Sequence, residues 1–264
     1  MFPGESGVGK MNPKFSQLID GHAHLDAIAD IEAAVREARS AGVTRIVGVG
    51  MDVASNRRTL ELADAYPGVV YPAVGFHPWA IASNSIEENL QFVDDHLGDG
   101  LALGEVGLDY KIKMKKAVQW DVFSEILRLA LKHQKALIVH SRFSHQRCHQ
   151  MMAAAGIPKA VFHWYSGPGD ILERILGDGY YVSCTPALAY SPPHRAAMER
   201  APLDRILIET DSPVEYQGKP SEPAHLVRTL EHLSQIKQMP AADVAAIVTR
   251  NAEKFFALTS RRNA

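Results

Sequence analysis

From Gln17 onward, short apolar runs alternate with polar loops and amphipathic stretches. The apolar runs are Leu18–Asp20, Val43–Val49, Val69–Val74, Leu101–Glu105, Ala136–Val139, Ala160–Phe162, Tyr180–Ser183 and Ile206–Ile208. Each is too short for a helix and several are β-branched, so each reads as a strand. Helical patterns follow over Ile28–Ala41, Ser55–Tyr66, Glu87–Leu97, Ala117–Lys132, Gln146–Ala155 and Gly169–Leu176, and two more, near Ala224–Gln238 and Ala241–Leu258, close the chain. No helix is read between the seventh and eighth strands.

Strands that alternate with helices argue for parallel βα units joined by right-handed crossovers. Eight such units in 264 residues close naturally into an α/β fold of the TIM type, a (β/α)8 barrel. An open doubly wound sheet is the alternative, but no G-x-G-x-x-G follows the first strand. No linker or low-complexity stretch splits the chain, and Pro213–Pro223 reads as a long final βα loop. A single barrel domain is therefore expected over 15–264, after a flexible tail over 1–14. Within that tail Gly4–Lys10 (GESGVGK) has the glycine and lysine positions of a phosphate-binding loop. It lacks the strand that must precede one, and Met11 stands where Ser or Thr is required.

Composition narrows the classes. Hydrophobic residues make up 46% and charged residues 22%, the balance of a globular protein with a large core. Lys+Arg 28 against Asp+Glu 30 leaves a net charge of -2, so no global basic field advertises nucleic acid. A phosphate substrate remains open, because bound ions supply positive charge locally. Cys148 and Cys184 make no disulfide framework and match no zinc-finger spacing, so a reducing, cytoplasmic compartment is expected. No apolar run approaches the ~20 residues of a membrane helix, and the opening MFPGESGVGK lacks the apolar h-region expected of a secretory signal. No obligate protein partner is evident.

Chemistry concentrates just after the strands. Strand one ends in Asp20-Gly21-His22-Ala23-His24, strand four in Glu105 through Asp109, strand five in His140-Ser141-Arg142, strand six in His163-Trp164 and strand eight in Glu209-Thr210-Asp211. In a barrel these ends share one mouth. Four imidazoles and several carboxylates in so small a volume are costly unless divalent ions occupy it. His22 and His24 are two apart, so on an extended strand both point the same way, at one ion. Glu105 either bridges two ions through its two oxygens or forms a buried ion pair, with Arg142 as a partner. Imidazole and carboxylate together suit Zn²⁺ or Mn²⁺ better than an all-oxygen Mg²⁺ cage.

Six stretches, DGHAHL, VGFHP, GEVGLDY, IVHSR, HWYSG and IETDSP, together with the terminal NAEKFF, resemble in order the signature blocks of the TatD-related family. That family comprises metal-dependent hydrolases among the amidohydrolase-like barrels, usually described as DNases with exonuclease activity. The resemblance spans residues 19 to about 258. It implies two divalent metal ions, Zn, Mn or Mg, with His22, His24, Glu105 and Asp211 around one. Glu105 would bridge to the second, which His140 and His163 complete. Two departures concern the pocket wall. Trp164-Tyr165 replace the more usual Cys-Phe, and the arginine usual after Asp109-Tyr110 is absent.

The expected activity is a metal-dependent phosphodiesterase acting on DNA ends, with Asp211 as both ligand and proton acceptor. Glu209 is either support that orients a ligand or an interior ion pair. His77 is expected to contact a substrate phosphate rather than a metal, a structural loop histidine being the alternative. Arg142 offers a fork for phosphate or holds a carboxylate in place. Lys111, with Lys113, Lys115 and Lys116, either draws in a polyanion or is a solvated run. Trp164 and Tyr165 either stack an unpaired base or pack at the rim. His133, His145, His149, His194, His225 and His232 are read as surface or helix residues without a role, and Cys184 is not assigned as a nucleophile. The competing functions are hydrolysis of a small C–N or C–O substrate, such as a cyclic amide or lactone, and metal binding without turnover. Complete ligand sets argue against the latter.

Overall fold

The computed structural model describes residue 15 and residues 17–258, so the expected tail over 1–14 and its phosphate-loop-like stretch lie outside the described residues. Eight strands form one sheet in chain order: β1 (Leu18–Ala23), β2 (Val43–Val49), β3 (Val70–Val74), β4 (Ala102–Gly107), β5 (Leu137–His140), β6 (Ala160–Phe162), β7 (Tyr181–Cys184) and β8 (Ile206–Ile208). Each pairs parallel with the next. The helices are α1 (Ile31–Ser40), α2 (Val53–Ala65), α3 (Ile86–His96), α4 (Lys116–His133), α5 (His145–Ala155), α6 (Gly169–Gly177), α7 (Pro192–Arg200), α8 (Leu226–Lys237) and α9 (Ala241–Phe256). The fold is the expected (β/α)8 barrel.

Local chemistry starts several helices. Asp30, Asp52 and Ser85 accept the backbone N–H of Ala33, Ser55 and Glu88, satisfying donors that a helix start leaves free. Helix α7 is a correction to the hydrophobic pattern, which shows none there. Pro192 and Pro193 open it at positions whose N–H has no helical partner, so prolines that look like breakers are starters. The Pro213–Pro223 loop is also more ordered than expected, since β9 (Glu215–Tyr216) and β10 (Lys219–Pro220) pair antiparallel within it.

Every strand sends a side chain into the interior, β2 sending two: Ile19, Val47 and Val49, Ala73, Ala102, Ile138, Val161, Tyr181 and Leu207, joined by Ala252, Phe255 and Phe256 of α9. The opposite faces pack against the helices. Because side chains alternate along a strand, residues two or four beyond an interior position point the same way, toward the mouth. His77 follows Ala73, His140 follows Ile138, His163 follows Val161, and Glu209 and Asp211 follow Leu207 with that spacing. His22 and Glu105 break the rule, standing three residues beyond Ile19 and Ala102. The register of β1 shifts between Asp20 and Ala23, and that of β4 between Leu103 and Val106. Each irregularity restores the parity, turning His22 and Glu105 inward.

The barrel closes between β1 and the segment after β8. Asp211 N–H donates to the His22 carbonyl at 2.9 Å, and His24 N–H donates to the Ser212 carbonyl at 2.7 Å. No helix among the described residues is long and apolar enough to cross a membrane.

Candidate metal centre

At the seam, four donor atoms face one another. His22 Nε2 and His24 Nε2 are 3.4 Å apart. His22 Nε2 is 3.4 Å from both Glu105 Oε2 and Asp211 Oδ1, and His24 Nε2 is 3.3 Å from the former and 3.4 Å from the latter. An ion held tetrahedrally at about 2.1 Å separates its ligands by about 3.4 Å, so these five edges are those of a cation cradle rather than of tight hydrogen bonds. Asp211 Oδ1 is buried without a hydrogen-bond partner, as a ligand awaiting a cation would be. His22 Nδ1 and His24 Nδ1 are buried without partners too.

The other oxygen of Glu105 faces a second set. Oε1 lies 2.8 Å from His140 Nδ1, 3.2 Å from His163 Nε2 and 3.4 Å from His77 Nε2. The His22 and His163 rings stack with centroids 4.2 Å apart. Among the described residues, three buried groups could hold an ion: His22, Glu105 and His163; His22, His24 and Asp211; His77, Glu105 and His140.

A further ring of carboxylates orients the imidazoles. His163 Nδ1 lies 2.9 Å from Glu209 Oε1, which also accepts the Trp164 N–H. His140 Nε2 lies 3.2 Å from Asp109 Oδ2. That oxygen also accepts Trp79 Nε1–H at 2.6 Å, while Asp109 Oδ1 accepts the Lys111 N–H. Asp20 latches the seam, accepting Thr210 N–H and Oγ–H. Among these, Asp109, Trp79, Asp20 and Thr210 are the functional neighbours that sequence reasoning passed over. Asp109 and Asp20 sat in the strand-end motifs, but nothing in the spacing says that they touch His140 and Thr210.

Electrostatics match this crowding. Burial disfavours the charge on Glu105, yet His77, His163 and His22 hold its carboxyl well below the usual range. Burial opposes protonation of His24, but contacts with Asp211 and Glu105 carry it up to about 10. His163 is raised well above its ordinary value because Glu105 and Glu209 outweigh its burial. Burial pushes Asp20 up to about 8 against its hydrogen bonds from Thr210. Acidic groups so placed draw in positive charge, whether protons or metal ions.

His77 is 1% exposed, and burial pushes it down to about 4, so its ring is neutral near pH 7. Its Nδ1 accepts the Trp79 N–H at 3.2 Å, which leaves the proton on Nε2, facing the site as a donor. Arg142 is exposed and its guanidinium meets no carboxylate among the described residues. Glu105 is surrounded by imidazoles instead. The Lys111 side chain is exposed at the rim. Trp164 is half-buried beside Tyr216.

Burial decides between the alternatives for Tyr165, His194 and His149. Tyr165 is fully buried, and its hydroxyl donates to the Pro168 carbonyl at 2.7 Å, so its ring is no stacking surface for a base. His194 is no surface residue. Fully buried, it joins the Tyr165 carbonyl at 2.7 Å to the Thr185 N–H at 3.2 Å. His149 is also buried, against Asp178.

The family model described as TatD related DNase matches residues 19–257. The "Uncharacterized metal-dependent hydrolase YabD" of Bacillus subtilis is 29% identical over 253 residues, covering 90% of this chain and 98% of the relative. "Deoxyribonuclease TATDN3" of Homo sapiens is 26% identical over 259 residues, covering 90% and 94%. The crystal structure of YjjV, a TatD homolog from Escherichia coli, superposes with a TM-score of 0.86 at 28% identity, covering 92% of this chain and 98% of that one.

Proposed function

The chain belongs to the TatD related DNase family of metal-dependent hydrolases, and from that membership we propose that it hydrolyses phosphodiester bonds at DNA ends with two divalent ions held at the barrel mouth. The carrying observation is the division of Glu105: one oxygen faces His22, His24 and Asp211, the other His140 and His163. His22, His24, Glu105 and Asp211 would hold one ion, and Glu105, His140 and His163 the other. Zn²⁺, Mn²⁺ and Mg²⁺ are the candidates, and the imidazole-rich donor set favours the first two. Bound there, such ions supply hydroxide near neutral pH and neutralise charge on the phosphate oxygens.

The protein's own groups do the rest. Asp211 faces the first ion's position through Oδ1, and its other carboxylate oxygen would take the proton of the attacking water. Glu209 and Asp109 hold the N–H of His163 and His140, directing the other ring nitrogen of each at Glu105 and the ions. His77, protonated on Nε2, donates to a phosphate oxygen rather than ligating a metal. Arg142 and Lys111 stand exposed at the rim, where a phosphate backbone would pass. Trp164, half-buried between His163 and Tyr216, supplies an aromatic wall at the mouth.

The test is release of nucleotides from single-stranded DNA by the purified protein with Mn²⁺, Zn²⁺ or Mg²⁺. Glu105→Ala is expected to abolish release, and His140→Ala to lower bound metal by one ion per chain while the other persists, read by emission spectroscopy. Turnover of a lactone or cyclic amide, with none of any phosphodiester, would overturn the proposal.

A further inference from the structure

Trp79 stands at the barrel mouth 49% exposed, so burial does not account for a large aromatic side chain there. What tryptophan has and phenylalanine lacks is the indole N–H. Here Nε1–H donates to Oδ2 of the fully buried Asp109 at 2.6 Å. The backbone N–H of the same residue donates to His77 Nδ1 at 3.2 Å. Trp79 thus touches both sides of a pair of imidazoles, since the rings of His77 and His140 meet edge to face with centroids 4.5 Å apart. His77, Glu105 and His140 form one of the groups that could hold an ion, and the bonds from Trp79 treat its two imidazoles differently.

A backbone N–H can only donate, so His77 Nδ1 is the bare acceptor and the ring proton sits on Nε2, the atom 3.4 Å from Glu105 Oε1. A protonated nitrogen offers no lone pair to a cation. Asp109 accepts at both oxygens, Oδ1 from the Lys111 N–H at 2.7 Å and Oδ2 from Trp79, the pattern of a carboxylate with nothing to donate. His140 Nε2, 3.2 Å from the same Oδ2, is therefore the donor of that pair. This leaves His140 Nδ1, 2.8 Å from Glu105 Oε1, as the nitrogen that can give a lone pair to a cation. Both partners of Trp79 are fixed at the backbone. The His77 N–H donates to the Met51 carbonyl, and the His77 carbonyl accepts the Ala80 N–H, each at 2.9 Å. Buried Gln119 of α4 clamps Asp109, accepting its N–H at 2.8 Å and donating to its carbonyl at 2.9 Å. The indole N–H joins these two fixed loops.

We propose that Trp79 is the positioning residue of the second-ion site. Its backbone N–H makes His77 a hydrogen-bond donor, and its indole N–H holds Asp109 on His140 so that His140 is the ligand. The inference rests on the two-ion reading and adds to it the residue that sorts two adjacent imidazoles into different work.

Trp79→Phe keeps an aromatic ring and the backbone N–H and removes only the indole N–H. It is expected to weaken binding of the second Zn²⁺ about ten-fold while the first stays, read by competition with a metal-chelating dye. Asp109→Asn is expected to weaken the same ion, and the two losses do not add, because both act through one oxygen. Nitrogen-15 NMR of the histidine-labelled, Zn²⁺-loaded wild type gives a readout that needs no variant. His77 is expected to carry its proton on Nε2 with both nitrogens unligated, and His140 to carry its proton on Nε2 with Nδ1 ligated. A His77 that is protonated on Nδ1, or ligated, overturns the inference whatever the variants do. So does a Trp79→Phe protein that binds both ions as the wild type does; a raised KM for an oligonucleotide in that protein would assign the ring to substrate contact instead. Equal weakening of both ions also overturns it, by making the indole a support of the whole mouth. In each of these cases the two-ion reading stands, whereas a wild type that binds a single ion removes both.

Discussion

Glu105 and the groups behind its partners show how much a few side chains decide. A hydrogen bond at one imidazole nitrogen fixes which tautomer presents the other, and carboxylates make that bond for His163 and His140. Glu209 touches no atom of the first cradle, so its effect should be separable. Glu209→Gln keeps an acceptor for the His163 N–H and loses the charge. It is expected to weaken binding of the second ion about ten-fold while the first ion stays, measured by competition with a metal-chelating dye. Equal weakening of both ions would show that Glu209 acts on the whole cluster's charge instead.

At the level of strands, close approach matters more than hydrophobic content. Glu105 is carried on β4 beside Gly75, at the end of β3, and Asn56 of α2 clamps that glycine through its N–H and carbonyl at 2.9 and 2.7 Å. A Cβ on Gly75 would lie 2.5 Å from the Gly104 carbonyl carbon and 2.7 Å from Glu105 N, both backbone atoms that cannot swing aside. Gly75→Ala must therefore move the strand end that aims Glu105. Because small misplacements of a catalytic group cost about 10²-fold, kcat is expected to fall by about that factor with the fold retained, checked by kinetics alongside circular dichroism. Unaltered kcat would mean that the β3–β4 contact yields without disturbing the carboxylate.

For the molecule as a whole, the proposed ligands would also serve as a fastener. The first cradle takes His22 and His24 from the start of the barrel and Asp211 from its last strand end, across a seam otherwise closed by few backbone hydrogen bonds. An ion present at about a thousand times its Kd would stabilise the fold by about 4 kcal/mol, so exhaustive chelation is expected to lower Tm by several degrees, with recovery on re-adding metal. A Tm indifferent to chelation would argue that the seam needs no cation. By itself the sequence determined the eight strands, the barrel and the set of ligand-type residues at strand ends, because these depend on hydrophobic period and on what lies just past each strand. His140, His163 and Asp211 were legible for that reason. Tertiary structure alone decided that register shifts turn His22 and Glu105 inward, that Tyr165 and His194 are buried, and that Asp109 and Asp20 reach His140 and Thr210. Those outcomes depend on pairing between strands far apart in the chain, where a one-residue slip reverses every side chain and no local pattern records it.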